Sequence, residues 1–353
     1  MIPAEPKGKT SFILSIFVLT GLLVCTGFIF ENIYPSRDTN RTGNRYSGAG
    51  GFPTATPGGF PQAQTPAVEP ALTLKPAPVQ ATVPVHPGRR GNGFEAEAVP
   101  RTLEELKKTL EKYIAQQSGR YGLYFINLVT GEEFGINDRE KYIAASTTKL
   151  PMNLLLYKKI AAGEIDFDEK LVYLEEDFEP GSGVIQKSPF GTEYTVRETA
   201  RLSVVYSDNC AINMIIRLLG IENIRQYMLD IGGTIYYGRD HRSCPYDLAV
   251  YARELYRFYQ ENPEIAGILI EDLQNTMWND RINKLLPKDV KVAHKIGNYE
   301  GVYNDVGIVF AEEPYVLAVM SENADQSVAS DVIAQISKKI YDYMVTRNNL
   351  KSN

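Results

Sequence analysis

The sequence of 353 residues has few of the side chains that bind metal ions, with only three cysteines and three histidines. No two cysteines have C-x-x-C spacing and the histidines are scattered, which excludes the common zinc motifs, so we expect no metal and no cofactor. An excess of positive charge is also absent, because 37 Lys and Arg stand against 43 Asp and Glu. Nucleic-acid-binding proteins concentrate basic residues, so we expect no nucleic-acid partner.

Two of the cysteines, Cys210 and Cys244, fall in the second half of the chain. In an oxidising exterior they could form a disulfide. The alternative is a pair of free thiols, because sequence spacing does not supply the Cα separation that a bridge requires. Both interpretations stay open at this point.

Charged residues are missing from residues 11–30, SFILSIFVLTGLLVCTGFIF, a stretch long enough to cross a bilayer core of about 30 Å as a helix. Lys7 and Lys9 precede it and favour a cytoplasmic tail at residues 1–10, although three arginines that follow weaken this preference. We expect a single-pass anchor in the cell membrane. The alternatives are a cleaved signal peptide, which usually has a shorter apolar region and an A-x-A-like site, and lipidation of Cys25.

Residues 31–100 have no hydrophobic periodicity and are dominated by Pro, Gly, Ala, Thr and Gln. Such a composition cannot bury enough apolar surface to offset chain entropy, so we predict a disordered linker. A flexible coil of this length reaches roughly 50 Å on average. The globular part is then expected at residues 101–348, outside the membrane.

Residues 101–348 carry the patterns of one folded domain. LEELKKTLEKYIAQQ has helical spacing, YGLYFINLVTGEEFGIN predicts a hairpin, and the region to about residue 286 is predicted to be largely helical, with a capping box at TVRE. Three strand-like runs, VKVAHKIG, YNDVGIVFA and YVLAVMSE, precede a last helix. We therefore predict an α/β (α+β) fold: an antiparallel sheet of about five strands built from both ends of the domain, flanked by helices and interrupted by a helical lobe.

The segment AASTTKLPM contains Ser146 three residues ahead of Lys149. A serine ahead of an apolar run is typical of a helix cap, which is one interpretation of Ser146. The other is a nucleophile, because serine needs an adjacent base and residues three apart share one face of a helix. Lysine serves as that base only where burial or nearby cations lower its pKa, and the apolar neighbours of Lys149 are compatible with burial.

Two later segments favour the nucleophile. Ser207, Asp208 and Asn209 stand between two apolar helical runs, and Lys295 precedes Gly297 on a predicted strand. The order S-x-x-K, S-D-N and K-T-G is the signature of class A β-lactamases and penicillin-binding proteins. Over roughly residues 102–347 the chain therefore resembles the class A β-lactamase-like serine hydrolases, and the stretches DFEPGSGVIQ and NDVGIVF resemble the family at the corresponding places.

The resemblance implies a role for each matching residue. Ser146 would be acylated, Lys149 would accept or relay its proton, and Ser207 would pass a proton to the leaving nitrogen. The substrate would be bound by Asn209, Lys295 and Gly297, and the backbone N–H groups of Ser146 and Asn298 would form the oxyanion hole, which stabilises charge that develops in the transition state.

The chain departs from the family in two places. Family members that hydrolyse β-lactams rapidly carry a Glu that activates the deacylating water, and the corresponding residues 230–252 here contain none. Asp240 and His241 in that short loop are candidates for the missing base, and a solvated turn is the alternative interpretation. Ile296 replaces the Thr of K-T-G and removes a hydroxyl, so β-lactam recognition should weaken.

We therefore expect a membrane-anchored extracytoplasmic serine hydrolase that acts as a monomer. Its substrate would be a β-lactam or a D-alanyl peptide of the cell wall, with slow release of the acyl group. The alternative function is a non-catalytic module that binds cell-wall peptides or β-lactams and acts as a sensor.

Overall fold

The structure, a computed structural model, describes residues 99–351. The predicted tail at residues 1–10, the anchor at residues 11–30 and all but the last two residues of the predicted linker lie outside the described part. Within it, no helix has both the length and the hydropathy needed to cross a membrane.

The described residues form eight α-helices and nine strands. The helices are α1 (Leu103–Ile114), α2 (Lys149–Ala161), α3 (Val196–Val205), α4 (Asn209–Leu219), α5 (Ile221–Asp230), α6 (Pro245–Glu261), α7 (Pro263–Gln274) and α8 (Gln326–Lys351). The strands are β1 (Arg120–Asn127), β2 (Glu133–Ile136), β3 (Tyr142–Ile143), β4 (Lys170–Val172), β5 (Glu193–Thr195), β6 (Arg242–Ser243), β7 (Lys291–Tyr299), β8 (Val302–Phe310) and β9 (Tyr315–Glu322).

Five strands form one antiparallel sheet in the order β2-β1-β9-β8-β7. Strand β1 pairs with β9 along its whole length, from Arg120 opposite Glu322 to Asn127 opposite Tyr315. The beginning and the end of the domain are thereby joined in the middle of the sheet. This confirms the predicted five-stranded sheet built from both ends of the domain.

Strand β1 shows why both faces of this sheet are covered by helices. Successive side chains of a strand point to opposite faces, and nearly all of those on β1 are apolar. Leu123 and Phe125 pack with helices α1 and α8 on one face. Tyr124 and Ile126 belong to a second core shared with α2 and α6 on the other face. The sheet is therefore the middle layer between two helical layers.

The helical lobe is built around α2. This helix is apolar on most of its circumference and buries Leu150, Leu154 and Leu156 completely, as expected for a helix surrounded by others. Inside the lobe, the buried Asn153 of α2 donates from Nδ2 to Ser203 Oγ of α3 at 2.9 Å. The two helices that lead to the candidate site are thus held together by a buried polar contact.

One local prediction is confirmed and one alternative is wrong. Thr195 caps α3 by accepting from the backbone N–H of Glu198, as the TVRE pattern predicts. Cys210 and Cys244 are both buried free thiols, so the disulfide alternative is wrong. Burial raises the pKa of the Cys244 thiol to about 12 and makes it unreactive at neutral pH.

Candidate active site

Ser146 lies on a short 3₁₀ helix, Ala145–Thr148, which leads directly into α2 at Lys149. The residue before it, Ala145, has φ +48°, a backbone conformation that L-residues rarely adopt. Ser146 caps neither helix, so the capping interpretation is wrong. Among residues 99–351, no side-chain hydrogen bond occupies its hydroxyl, which borders a cavity of about 550 Å³.

Lys149 is buried and points towards the segment between α3 and α4. Its Nζ donates to the Ser207 carbonyl at 2.6 Å and to Asn209 Oδ1 at 2.7 Å, with Ser207 Oγ at 3.5 Å. Burial lowers the pKa of Lys149 to about 8, against the opposing effect of the carboxylates of Glu179 and Asp208. A lysine with this pKa has a substantial neutral fraction near pH 8 and can accept a proton.

Ser207 follows the end of α3 in a left-handed conformation, with φ +52°. Next to it, Asp208 caps α4 and also accepts from the backbone N–H groups of Val184 and Ile185 at 2.6 and 2.9 Å. The loop of residues 177–186, DFEPGSGVIQ, is thereby bound to the start of α4. Gly183 has to be glycine here, because a Cβ would lie 2.1 Å from Asp208 Cγ.

Lys295 reaches the same serine from the sheet. It is completely buried on β7, and its Nζ donates to Ser207 Oγ at 2.9 Å and to the Ile296 carbonyl at 3.2 Å. Burial and the nearby cations Lys149 and Arg281 hold its pKa well below the usual range. The lysines predicted from the first and third motifs therefore meet at the serine of the second.

Gly297 is the point where the sheet approaches the nucleophile most closely. A Cβ at this position would lie 2.7 Å from the Ala144 carbonyl oxygen and 3.1 Å from Thr147 Cγ2. Glycine is therefore required so that β7 can lie against the 3₁₀ helix that carries Ser146. Asn298 follows on the rim of the cavity, where its side-chain Oδ1 accepts from Arg281.

Three residues that support the site were missed by the sequence analysis. The completely buried Arg281 donates to Asn298 Oδ1 and, at 2.7 Å, to the Asn304 carbonyl. Asn304 of β8 donates from Nδ2 to the Ile143 and Ala144 carbonyls at 2.9 and 3.2 Å. Tyr237, from the loop before α6, lines the cavity. Asn304 begins the stretch NDVGIVF, but the resemblance assigns it no role, and Arg281 and Tyr237 belong to no recognisable pattern.

The remaining predicted residues divide between the cavity and the core. Asp240 and His241 line the cavity that contains Ser146, Lys149 and Asn209. Ile296 is buried, so its side chain offers no group to a substrate. His294 is also buried and contacts Asp305 through Nδ1 at 2.9 Å, away from the cavity.

The comparisons with known proteins agree with one another. The sequence model of the beta-lactamase enzyme family matches residues 105–344. Beta-lactamase VEB-1 of Pseudomonas aeruginosa is 20% identical over 274 residues, which cover 69% of this chain and 92% of that protein. A beta-lactamase of Bacillus licheniformis is 24% identical and covers 67% of this chain and 83% of its own length.

Among solved structures, penicillin-binding protein PBP-A superposes with a TM-score of 0.64 at 26% identity, covering 70% of this chain and all of that one. A mutant of PBP-A with the same TM-score has been solved as an acyl-enzyme complex with penicillin G. An ancestral class A beta-lactamase, at 22% identity and a TM-score of 0.61, shares the fold.

A methyl group at Gly297 should separate the sheet from the nucleophile. We expect Gly297→Ala to lower the rate at which Ser146 is acylated by penicillin G about 100-fold, since misplacement by about 1 Å is enough for such a loss. Gly267→Ala is the matched control, because its Cβ would come no closer than 3.7 Å to a neighbouring atom. Intact-protein mass spectrometry measures both rates, and equal rates in the two variants would contradict the steric argument.

The lowered pKa of Lys149 sets the pH dependence of acylation. Only the neutral amine accepts a proton, so below its pKa of about 8 the acylation rate should fall about tenfold per pH unit, and above it the rate should level off. Lys149→Arg keeps the positive charge but cannot lose a proton in this range, so it should acylate slowly at every pH. A wild-type rate that is constant between pH 6 and 9 would exclude Lys149 as the base.

Proposed function

The chain belongs to the beta-lactamase enzyme family of serine hydrolases, and we propose that it forms an acyl-enzyme at Ser146 with β-lactams or D-alanyl cell-wall peptides. One observation carries the proposal: two buried lysines, both with lowered pKa values, meet at the hydroxyl of Ser207 beside the cavity that Ser146 borders. Such an arrangement can move a proton away from one hydroxyl and towards a leaving group.

Acylation then proceeds by one substitution at the carbonyl carbon of the substrate. Ser146 Oγ attacks this carbon while its proton passes to neutral Lys149. The C–N bond breaks, and the Ser207 hydroxyl donates a proton to the leaving nitrogen and regains one from Lys149, whose Nζ lies 3.5 Å from Ser207 Oγ. The oxyanion is held by the backbone N–H groups of Ser146 and Asn298, a type of interaction that typically contributes two to three powers of ten in rate.

The site suits a substrate that carries an anionic group on the leaving side. Lys295, when protonated, supplies positive charge at the sheet side of Ser207. The Asn209 amide at the opposite edge contacts Lys149 and the Pro180 carbonyl, and it would bind a substrate amide by exchanging one of these contacts. Both β-lactams and peptides that end in D-alanyl-D-alanine have a carboxylate and an amide in these relative positions. The Ile at position 296 weakens carboxylate binding without removing the lysine.

We further propose that release of the acyl group is slow. The loop between α5 and α6, residues 231–244, contains no glutamate that could activate a water molecule. A β-lactam acyl group also stays attached to its own leaving group, which remains in the cavity and excludes water. A peptide acyl group loses its leaving amine, so it should be released faster than a β-lactam acyl group.

The proposal includes an anchor in the cell membrane, supported by the uncharged stretch at residues 11–30 and the lysines before it. The catalytic domain would then act outside the membrane on the cell wall. Full-length protein should sediment with membranes and resist extraction by alkaline carbonate, whereas a chain starting at residue 101 should remain in the supernatant. Recovery of full-length protein in the supernatant would exclude an anchor.

A time course of the intact mass after addition of penicillin G tests the catalytic proposal. We expect a single covalent adduct on Ser146 that persists, with poor turnover of a chromogenic cephalosporin and no adduct on Ser146→Ala. Rapid return to the free mass would indicate a working β-lactamase. If Ser146→Ala binds ligand and supports the cell as well as wild type, the non-catalytic binding module is correct.

A further inference from the structure

The loop between α5 and α6 contributes two neighbouring side chains to the cavity that contains Ser146. Tyr237, which is 8% exposed, and His241 both line it. Tyr237 Oη lies 2.7 Å from His241 Nδ1, and the two rings are almost perpendicular, with centroids 5.4 Å apart. An imidazole held by a buried phenol beside a nucleophile is a candidate for proton transfer.

This pair is attached to the nucleophile segment by the backbone. The His241 carbonyl accepts from the Ala144 N–H at 2.8 Å, two residues ahead of Ser146, and Ile143 pairs with Arg242 between β3 and β6. On the other side, Thr148 Oγ1 lies 3.5 Å from Tyr237 Oη. The loop therefore cannot move away from Ser146 without breaking these contacts.

The backbone at His241 is held in an uncommon conformation. Its φ is +50°, in the left-handed region, and its N–H closes a turn onto the Gly238 carbonyl at 3.1 Å. Residues in this region carry a conformational cost and often occur at functional sites. Asn and Gly tolerate this conformation, which makes them suitable replacements in a test of the side chain.

The hydrogen bond to Tyr237 engages Nδ1 of the imidazole and leaves Nε2 outside that contact. Burial raises the pKa of Tyr237, so it stays a neutral phenol, which can both donate and accept. When its oxygen accepts from His241 Nδ1–H, the lone pair lies on Nε2, which can accept a proton from a water molecule in the cavity. Tyr237 thus orients the ring.

We propose that His241 is the general base that activates the deacylating water, with Tyr237 as its positioning residue. The inference rests on the proposed acyl-enzyme at Ser146. Water attacks the ester carbonyl carbon while its proton passes to His241 Nε2. The bond between that carbon and Ser146 Oγ then breaks, Ser146 Oγ regains a proton from the imidazolium, directly or through solvent, and the carboxylic acid product leaves.

Other charged groups lie around the Tyr237–His241 pair, and the experiment has to distinguish their effects from that of the imidazole. Asp240 and Arg242 are its neighbours in the chain, and Arg225 of α5 donates to the Tyr237 carbonyl at 2.7 Å. Glu179 and Lys149 face the same cavity. Asp240 and Glu179 are the two carboxylates among these groups, so Asp240→Asn and Glu179→Gln serve as matched controls for the imidazole.

The test follows loss of the acyl group from protein that has been acylated with penicillin G and freed of excess drug. His241→Asn should acylate at the wild-type rate within about twofold but deacylate about 100-fold more slowly, the usual range for a lost general base. Asp240→Asn and Glu179→Gln should lose the acyl group at the wild-type rate.

Two further variants distinguish catalysis from a structural role. His241→Gly suits the backbone and leaves a space the size of the ring, so added imidazole should restore its deacylation, whereas added acetate should not. Tyr237→Phe should deacylate about tenfold more slowly than wild type. Rescue by imidazole is not expected of a residue that only shapes the turn.

The outcomes separate this inference from the proposed function. Absence of any adduct on wild-type Ser146 overturns the acyl-enzyme and this inference together. A normal adduct with the same lifetime in wild type and His241→Asn overturns the role of His241 alone. If Asp240→Asn lengthens the lifetime of the acyl-enzyme as much as His241→Asn does, the base is the Asp240 carboxylate instead.

Discussion

The contact of two buried ammonium groups with one serine is the constraint on which the site depends. Lys149 comes from the central helix of the lobe, Lys295 from an edge strand of the sheet, and Ser207 from the connection between two lobe helices. Burying two like charges is unfavourable, and carbonyl oxygens and the Asn209 amide offset only part of this penalty. Burial therefore lowers both pKa values, and the same feature that opposes stability makes a lysine usable as a base.

Such a site requires that lobe and sheet keep a fixed relation. Arg281 provides part of this rigidity, because it binds the rim residue Asn298 and the carbonyl of Asn304, whose side chain in turn holds the strand leading to Ser146. Gly297 lets the strand and the 3₁₀ helix touch. Arg281 is a third buried cation and disfavours the charged form of Lys295, so it acts on position and on charge together.

The parts of the fold and the site that could be predicted are those that depend on residues close together in the sequence. Ser146, Lys149, Ser207 and Lys295 were found because each belongs to a short pattern whose order along the chain is informative. The five-stranded sheet could be predicted because strand-like apolar runs occur at both ends of the domain and few other arrangements would bury them. Arg281 could not be predicted, because a single arginine has no periodicity and its partners are known only after folding. Asn304 begins the matching stretch NDVGIVF, but its contacts with the Ile143 and Ala144 carbonyls are likewise known only after folding. Likewise, the disulfide alternative could be settled only by the two thiols' positions in the fold.

The two halves of the reaction are supported by different kinds of structure. Lys149, Ser207 and Lys295, which would serve acylation in the proposed mechanism, are each at most 5% exposed and lie in or between packed helices and strands. Asp240 and His241, near the place where water would attack, are exposed in a loop attached to the nucleophile segment by a few backbone hydrogen bonds. Changes in that loop would alter few core contacts, since surface loops tolerate substitution better than the elements they connect. The lifetime of the acyl-enzyme can therefore vary while the residues proposed for acylation stay unchanged. One fold can thus serve both stable acylation and turnover of the substrate.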